Sequence, residues 1–127
     1  MARKEKSARR LVVDGRLFLW SLRHDHDALG DGRYAGCREI LGIRPDGAKR
    51  RLRIVFREGP GRIVPDGLIP SGRVGTAPDR TLNLHLPGTV RALLESVSAR
   101  GGLIDGAEEF DGWSVFDEVF ALRGRPA

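Results

Sequence analysis

The amino-acid sequence predicts an α+β fold in one domain: an antiparallel sheet of about five short strands packed against one amphipathic helix, with a short C-terminal helix. Three observations carry this reading. The segment RRLRIVFR at 50–57 alternates with a period of two, Leu52, Ile54 and Phe56 facing one way and Arg51, Arg53, Val55 and Arg57 the other. Val90, Leu93, Leu94 and Val97 recur at the i, i+3, i+4, i+7 spacing of a helix with one apolar face. Between such segments the chain is cut by Asp-Gly, Pro-Asp-Gly, Gly-Pro-Gly and Pro-Ser-Gly, which turn the backbone and leave room only for short strands.

In chain order, residues 11–13 and 16–22 are apolar runs joined by Asp14-Gly15, a hairpin signal. In the second run Phe18, Trp20 and Leu22 alternate with Leu17, Leu19 and Ser21, so both faces are largely apolar and a central strand is expected. HDHDALGDGRYAG at 24–36 reads as a loop by its Gly and Asp content, followed by a strand at 37–44 and a turn at Pro45-Asp46-Gly47. After the arginine strand, 58–79 is broken by turns and admits only short strands such as 62–64. Leu82, Leu84 and Leu86 alternate with Asn83 and His85 in a last short strand. Pro87 suits a helix start and Gly101-Gly102 a helix end. Trp113, Phe116 and Phe120 are helically spaced, with Asp117 and Glu118 ahead of Arg123 and Arg125 and with Gly124 and Pro126 closing the helix. Ser114, Phe116, Glu118 and Phe120 would also alternate as a strand.

At 127 residues, with 40% apolar and 31% charged residues, the chain can bury a core without a disulfide or metal and lies far from the composition of disorder. Cys37 is the only cysteine and no apolar run approaches the ~20 residues of a membrane span, which points to a reducing cytoplasm. The run LVV after the charged first residues is too short for an export signal, for which ~7 to 15 apolar residues are needed. The net charge of +5 is uneven: residues 1–10 hold five basic side chains and Glu5, a net of +4, which leaves +1 for the other 117. Residues 1–10 are therefore expected to form a flexible basic arm, and 11–127 a nearly neutral α+β body. The basic residues are 19 Arg to 3 Lys, as GC-rich codons impose, so some of the arginine carries no functional meaning.

His24 and His26 on an extended strand would project to one face about 7 Å apart, close enough to share a metal, with Asp27 or Asp31 as a third ligand. A zinc site needs three or four protein ligands. His85 is the only other histidine and no second ligand pair exists, so HDHD reads as a polar hairpin tip and no metal or other cofactor is expected. Glu108 with Glu109, and Asp117 with Glu118, are adjacent in sequence and point apart, unlike an acid/base pair held across a cleft. No G-x-S-x-G elbow accompanies the serines, and EGPGR at 58–62 lacks the Lys-Ser/Thr of a phosphate loop. Cys37 reads as a small buried residue, and Trp20 and Trp113 as core. Arg51, Arg53 and Arg57, extended by Lys49 and Arg50, form a basic stripe about 20 Å long that could follow a phosphate backbone, without the interleaved aromatics that stack bases. With the body at +1, nearby acids are expected to offset most of it.

The runs REGPGRIVPDGLIPSG, LNLHLPGTVRALL and FDGWSVFDEV resemble those of a family of small uncharacterised proteins from high-GC bacteria. The resemblance spans roughly residues 12–120, implies a self-standing cytoplasmic domain and carries over no catalytic residue. The leading expectation is a non-catalytic cytoplasmic binding module whose partner is another protein. One alternative is weak, sequence-independent nucleic-acid binding through Arg3, Lys4, Lys6, Arg9 and Arg10 of the arm and Arg51, Arg53 and Arg57 of the strand. A second is a small metal-dependent enzyme using His24, His26 and Asp27.

Overall fold

The structure, a computed structural model, describes residues 8–65, 72–102 and 109–123. Nine elements follow in order: β1 (Arg9–Val13), β2 (Arg16–Ala28), β3 (Tyr34–Pro45), β4 (Leu52–Arg57), β5 (Arg73–Ala77), β6 (Arg80–Asn83), α1 (Pro87–Ser98), β7 (Glu109–Asp111) and α2 (Trp113–Arg123). The main sheet has the order β1-β2-β3-β4-β7, and β5 and β6 form a separate hairpin. The β1 to β4 pairings are antiparallel; β7 runs parallel to β4, so the last strand departs from the all-antiparallel expectation. A parallel neighbour requires a crossover, and the chain between β4 and β7 includes α1.

The β1–β2 turn forms at Asp14 (φ 52°) and Gly15 (φ 78°), two positive values that match a two-residue turn to the twist of its strands. Period-two burial then sorts the sheet. Phe18, Trp20 and Leu22 of β2, Leu41 and Ile43 of β3, and Leu52, Ile54 and Phe56 of β4 share a core with Val90, Leu93, Leu94 and Val97 of α1 and Val115, Phe116 and Val119 of α2. Trp20 and the apolar face of α1 thus meet in one core, as their patterns predict. The β5–β6 hairpin adds Val74 and Leu82. All these groups lie on one face of the main sheet; no described helix or strand covers the other.

Pro87 stands in the first turn of α1, where a missing N–H is harmless, and the chain leaves the helix through Gly101 (φ 81°) with the Gly102 N–H donating to Val97 O at 3.0 Å. The C-terminal segment is helical, not a strand; Gly124 and Pro126 lie outside the described residues. No described helix is long and apolar enough to cross a membrane.

Several boundaries move. β2 runs through HDHD to Ala28 and β3 starts at Tyr34, so most of the expected loop at 24–36 is ladder. Its polar residues misled because this end of the sheet carries charge on both faces. The short strand expected at 62–64 is reduced to bridges, Gly59 with Arg62 and Ile63 with Gly75. The leucine-rich strand ends at Asn83, and Leu84 and Leu86 lead into α1. The arm shortens as well: Arg9 and Arg10 belong to β1, paired with Trp20 and Leu19.

Candidate functional site

Because HDHD is strand, His24 and His26 share a face, with ring centroids 5.3 Å apart. The third group is Glu39, not Asp27. Glu39 lies opposite His24 in the β2–β3 register and is fully buried. His24 Nδ1 donates to Glu39 Oε2 at 2.6 Å and the Gly72 N–H donates to Oε1 at 2.7 Å. Asp27 turns the other way, toward the Arg38 guanidinium at 3.7 Å, past an irregularity in the ladder between Asp25 and Asp27. Among the described residues no three His, Cys, Asp or Glu side chains gather as a metal-binding group. Cys37 is buried. The His24–Glu39 pair fixes a ring and ties the start of the β5–β6 hairpin to the main sheet.

The opposite face of the sheet is built from the alternate residues. Strand register sets its rows: Arg10, Leu19 and Arg44 lie side by side, then Ser21, Gly42, Arg53 and Glu109, then Arg23, Ile40, Val55 and Asp111. Arg51, just before β4, reaches over the middle of this face, its Cδ 3.5 Å from the position a Cβ on Gly42 would take. Val55, expected in solvent, is 3% exposed, since Arg53 and Arg57 flank it and Ile40 pairs with it across the ladder. The acids here sit at the margins. Asp25 takes the Arg38 guanidinium at 3.0 Å and lies 3.8 Å from Arg23. The His26 N–H, followed by the charges of Arg38 and Arg23, holds its carboxyl below the usual aspartate range. Glu109 takes Arg57 at 2.9 Å. Among the described residues no carboxylate pairs with Arg10, Arg44, Arg51 or Arg53. Among the described residues Arg44 donates to Ala48 O, at 3.4 Å.

Gly42 contributes no side chain and Ser21 a small one, so the face is hollow between the arginines. A cleft of about 170 Å³ is lined by Ala8, Leu19, Trp20, Ser21, Gly42, Ile43, Arg44 and Arg51, and a smaller depression of about 30 Å³ continues it toward Arg23 and Arg53. A further depression of about 280 Å³ lies between the β1–β2 turn and α1, among Val13, Phe18 and Leu94, and its rim mixes Asp14 and Glu95 with Arg16.

The phosphate-contact set expected from sequence is thus divided. Arg3, Lys4 and Lys6 lie outside the described residues. Arg9 turns to the core side, its guanidinium 4.6 Å from the Trp20 ring centroid and donating to His85 O at 2.8 Å. Arg57 is engaged by Glu109. Arg10, Arg51 and Arg53 stay on the open face, joined by Arg44 and Arg23. The sequence reading missed those two because one-residue parity on β3 and β2 acquires meaning only with the register. It missed Glu39 because one glutamate in an apolar strand has no local signature.

The chain matches no protein-family model, no curated protein and no solved structure.

Proposed function

We propose that the protein is a non-catalytic binding module of the cytoplasm whose ligand surface is the open face of the five-stranded sheet and whose ligand is anionic. One observation carries the reading: Arg44 and Arg51 line a cleft on a sheet face that Arg10 and Arg53 share by register, and of the carboxylates on that face Asp25 and Glu109 pair with other arginines while Asp111 accepts the Trp113 N–H. A body near neutrality overall therefore segregates its charge, and local segregation governs attraction to an anion. Guanidinium groups carry their charge at any physiological pH and present a planar fork of donors that fits phosphate or carboxylate oxygens. The partner expected from the sequence, another protein, would bind here through acidic groups.

The test is titration of the full chain with inorganic polyphosphate, followed by backbone amide shifts. Shifts centred on Ser21, Gly42 and Arg53, reduced in an Arg51→Glu, Arg53→Glu double variant, support the reading. Shifts confined to residues 1–7, or unchanged in the double variant, refute it.

A further inference from the structure

We infer that the cleft over Ser21 and Gly42 seats the phosphodiester backbone of a single-stranded nucleic acid, bound without regard to sequence. This rests on the anionic-ligand reading and narrows it to one polymer. The row from Arg10 across Leu19 to Arg44, with Arg51 beyond, crosses adjacent strands spaced about 4.8 Å apart. Its guanidiniums therefore span roughly 15 Å, enough to meet about three successive phosphates of one strand.

The floor separates a strand from a duplex. A missing side chain at Gly42 lets a narrow ligand descend between the arginines toward the Ser21 hydroxyl, which has no hydrogen-bond partner among the described residues. A duplex is a convex rod far wider than a cleft of about 170 Å³ and would rest on the arginine tips without reaching the floor. Among the described residues the three rows of this face carry no aromatic side chain, Trp20 at the cleft is only 2% exposed, and with Ile40 and Val55 buried Leu19 alone offers aliphatic contact. Bases accordingly gain little stacking, and affinity comes from charge, which makes it insensitive to sequence and steeply dependent on salt.

The experiment measures binding of the full chain to a labelled oligothymidylate and to a duplex of equal length across a salt series, with inorganic polyphosphate and poly-glutamate as competitors. Two variants accompany it. Arg44→Ala, Arg51→Ala, Arg53→Ala removes three of the guanidiniums and leaves Arg10. Gly42→Ala keeps every charge and raises the floor by one methyl, whose carbon would sit in ordinary van der Waals contact with Arg51 Cδ at 3.5 Å. Expected are tighter binding of the single strand, a log K against log salt slope of about −2 to −3 at about −0.7 per phosphate, and loss with the triple variant. Gly42→Ala should weaken the single strand about tenfold or more, the scale of one charge-assisted hydrogen bond, and leave the duplex unchanged. Equal or tighter duplex binding, an unaffected Gly42→Ala with a wild-type thermal melt, or displacement by poly-glutamate before polyphosphate overturns this inference. Polyphosphate binding without nucleic-acid binding overturns it alone, whereas failure of every polyanion removes the anionic-ligand reading as well.

Discussion

His24 and Glu39 meet across β2 and β3, Nδ1 donating to Oε2 at 2.6 Å, with the carboxylate fully buried on the core face of the sheet. Its other oxygen takes the Gly72 N–H at 2.7 Å, so one side chain joins the main sheet to the entry of the β5–β6 hairpin. Removing the buried carboxylate strands the Gly72 N–H away from water, while His24, a quarter exposed, can turn to solvent. Glu39→Ala should lower stability by about 1 to 3 kcal/mol. Glu39→Gln, which keeps one acceptor, should cost less. Urea unfolding measures both, and a Glu39→Ala variant of wild-type stability would show that water satisfies these groups instead.

Leu94 is 2% exposed on the face of α1 that meets the sheet. Leu94→Ala leaves a cavity that packed surroundings only partly close, at a cost of about 2 to 5 kcal/mol. A urea midpoint unchanged from wild type would place α1 elsewhere.

Glu118 accepts the Arg100 guanidinium at 2.6 Å, and hydrogen bonds from Arg100 and then Ser96 hold its carboxyl below the ordinary glutamate value of 4.5. A group whose folded pKa is depressed contributes stability above its unfolded pKa and loses it as pH falls through the folded one. Wild type should therefore lose more stability than Glu118→Gln as pH falls from about 6 to about 3. Parallel acid limbs for the two proteins would show the pair contributes nothing in solution.

His24 and His26 face one way, yet Asp27 is drawn to Arg38 and His24 Nδ1 is committed to Glu39. Two imidazoles with no third ligand gathered among the described residues make a weak site. Elemental analysis of dialysed protein should find metal well below one equivalent. One equivalent of zinc, lost in a His24→Ala, His26→Ala double variant, would restore the metal-enzyme reading.

What the sequence made legible was periodicity. The α1 stripe and the alternation of Leu52, Ile54 and Phe56 reflect burial on one side, which the chain records locally, and both elements form where expected. Pairing is recorded less directly. HDHD looked like a loop because charge usually marks exposed backbone, yet its partners Glu39 and Arg38 accept that charge across a ladder. The three residues of β7 are too few to show a period, and their parallel pairing depends on where α1 returns the chain. The open face was half visible: Arg51 and Arg53 stood out on an alternating strand, while Arg10, Arg44 and the gap at Gly42 join them only through a register that short-range pattern does not contain.

That register changes the expected role of the arm. Composition alone assigned nucleic-acid affinity mainly to Arg3, Lys4, Lys6, Arg9 and Arg10, because residues 1–10 hold +4 of the chain's +5. Arg9 is now occupied by His85 O and the Trp20 ring, and Arg10 belongs to the sheet face, so deleting residues 1–7 removes only Arg3, Lys4 and Lys6 against Glu5. On a single strand each basic residue lost should flatten the log K against log salt slope by at most about 0.7, or about 2 for the three. The sheet-face slope of about −2 to −3 should persist, and with it measurable binding at ~0.1 M salt, where the Debye length of ~10 Å still spans neighbouring arginines. The Arg44→Ala, Arg51→Ala, Arg53→Ala variant, which keeps the arm, should lose its affinity all the same. A salt titration of the truncated chain decides: abolished binding after removal of 1–7 would return the affinity to the arm and leave the open face without a ligand.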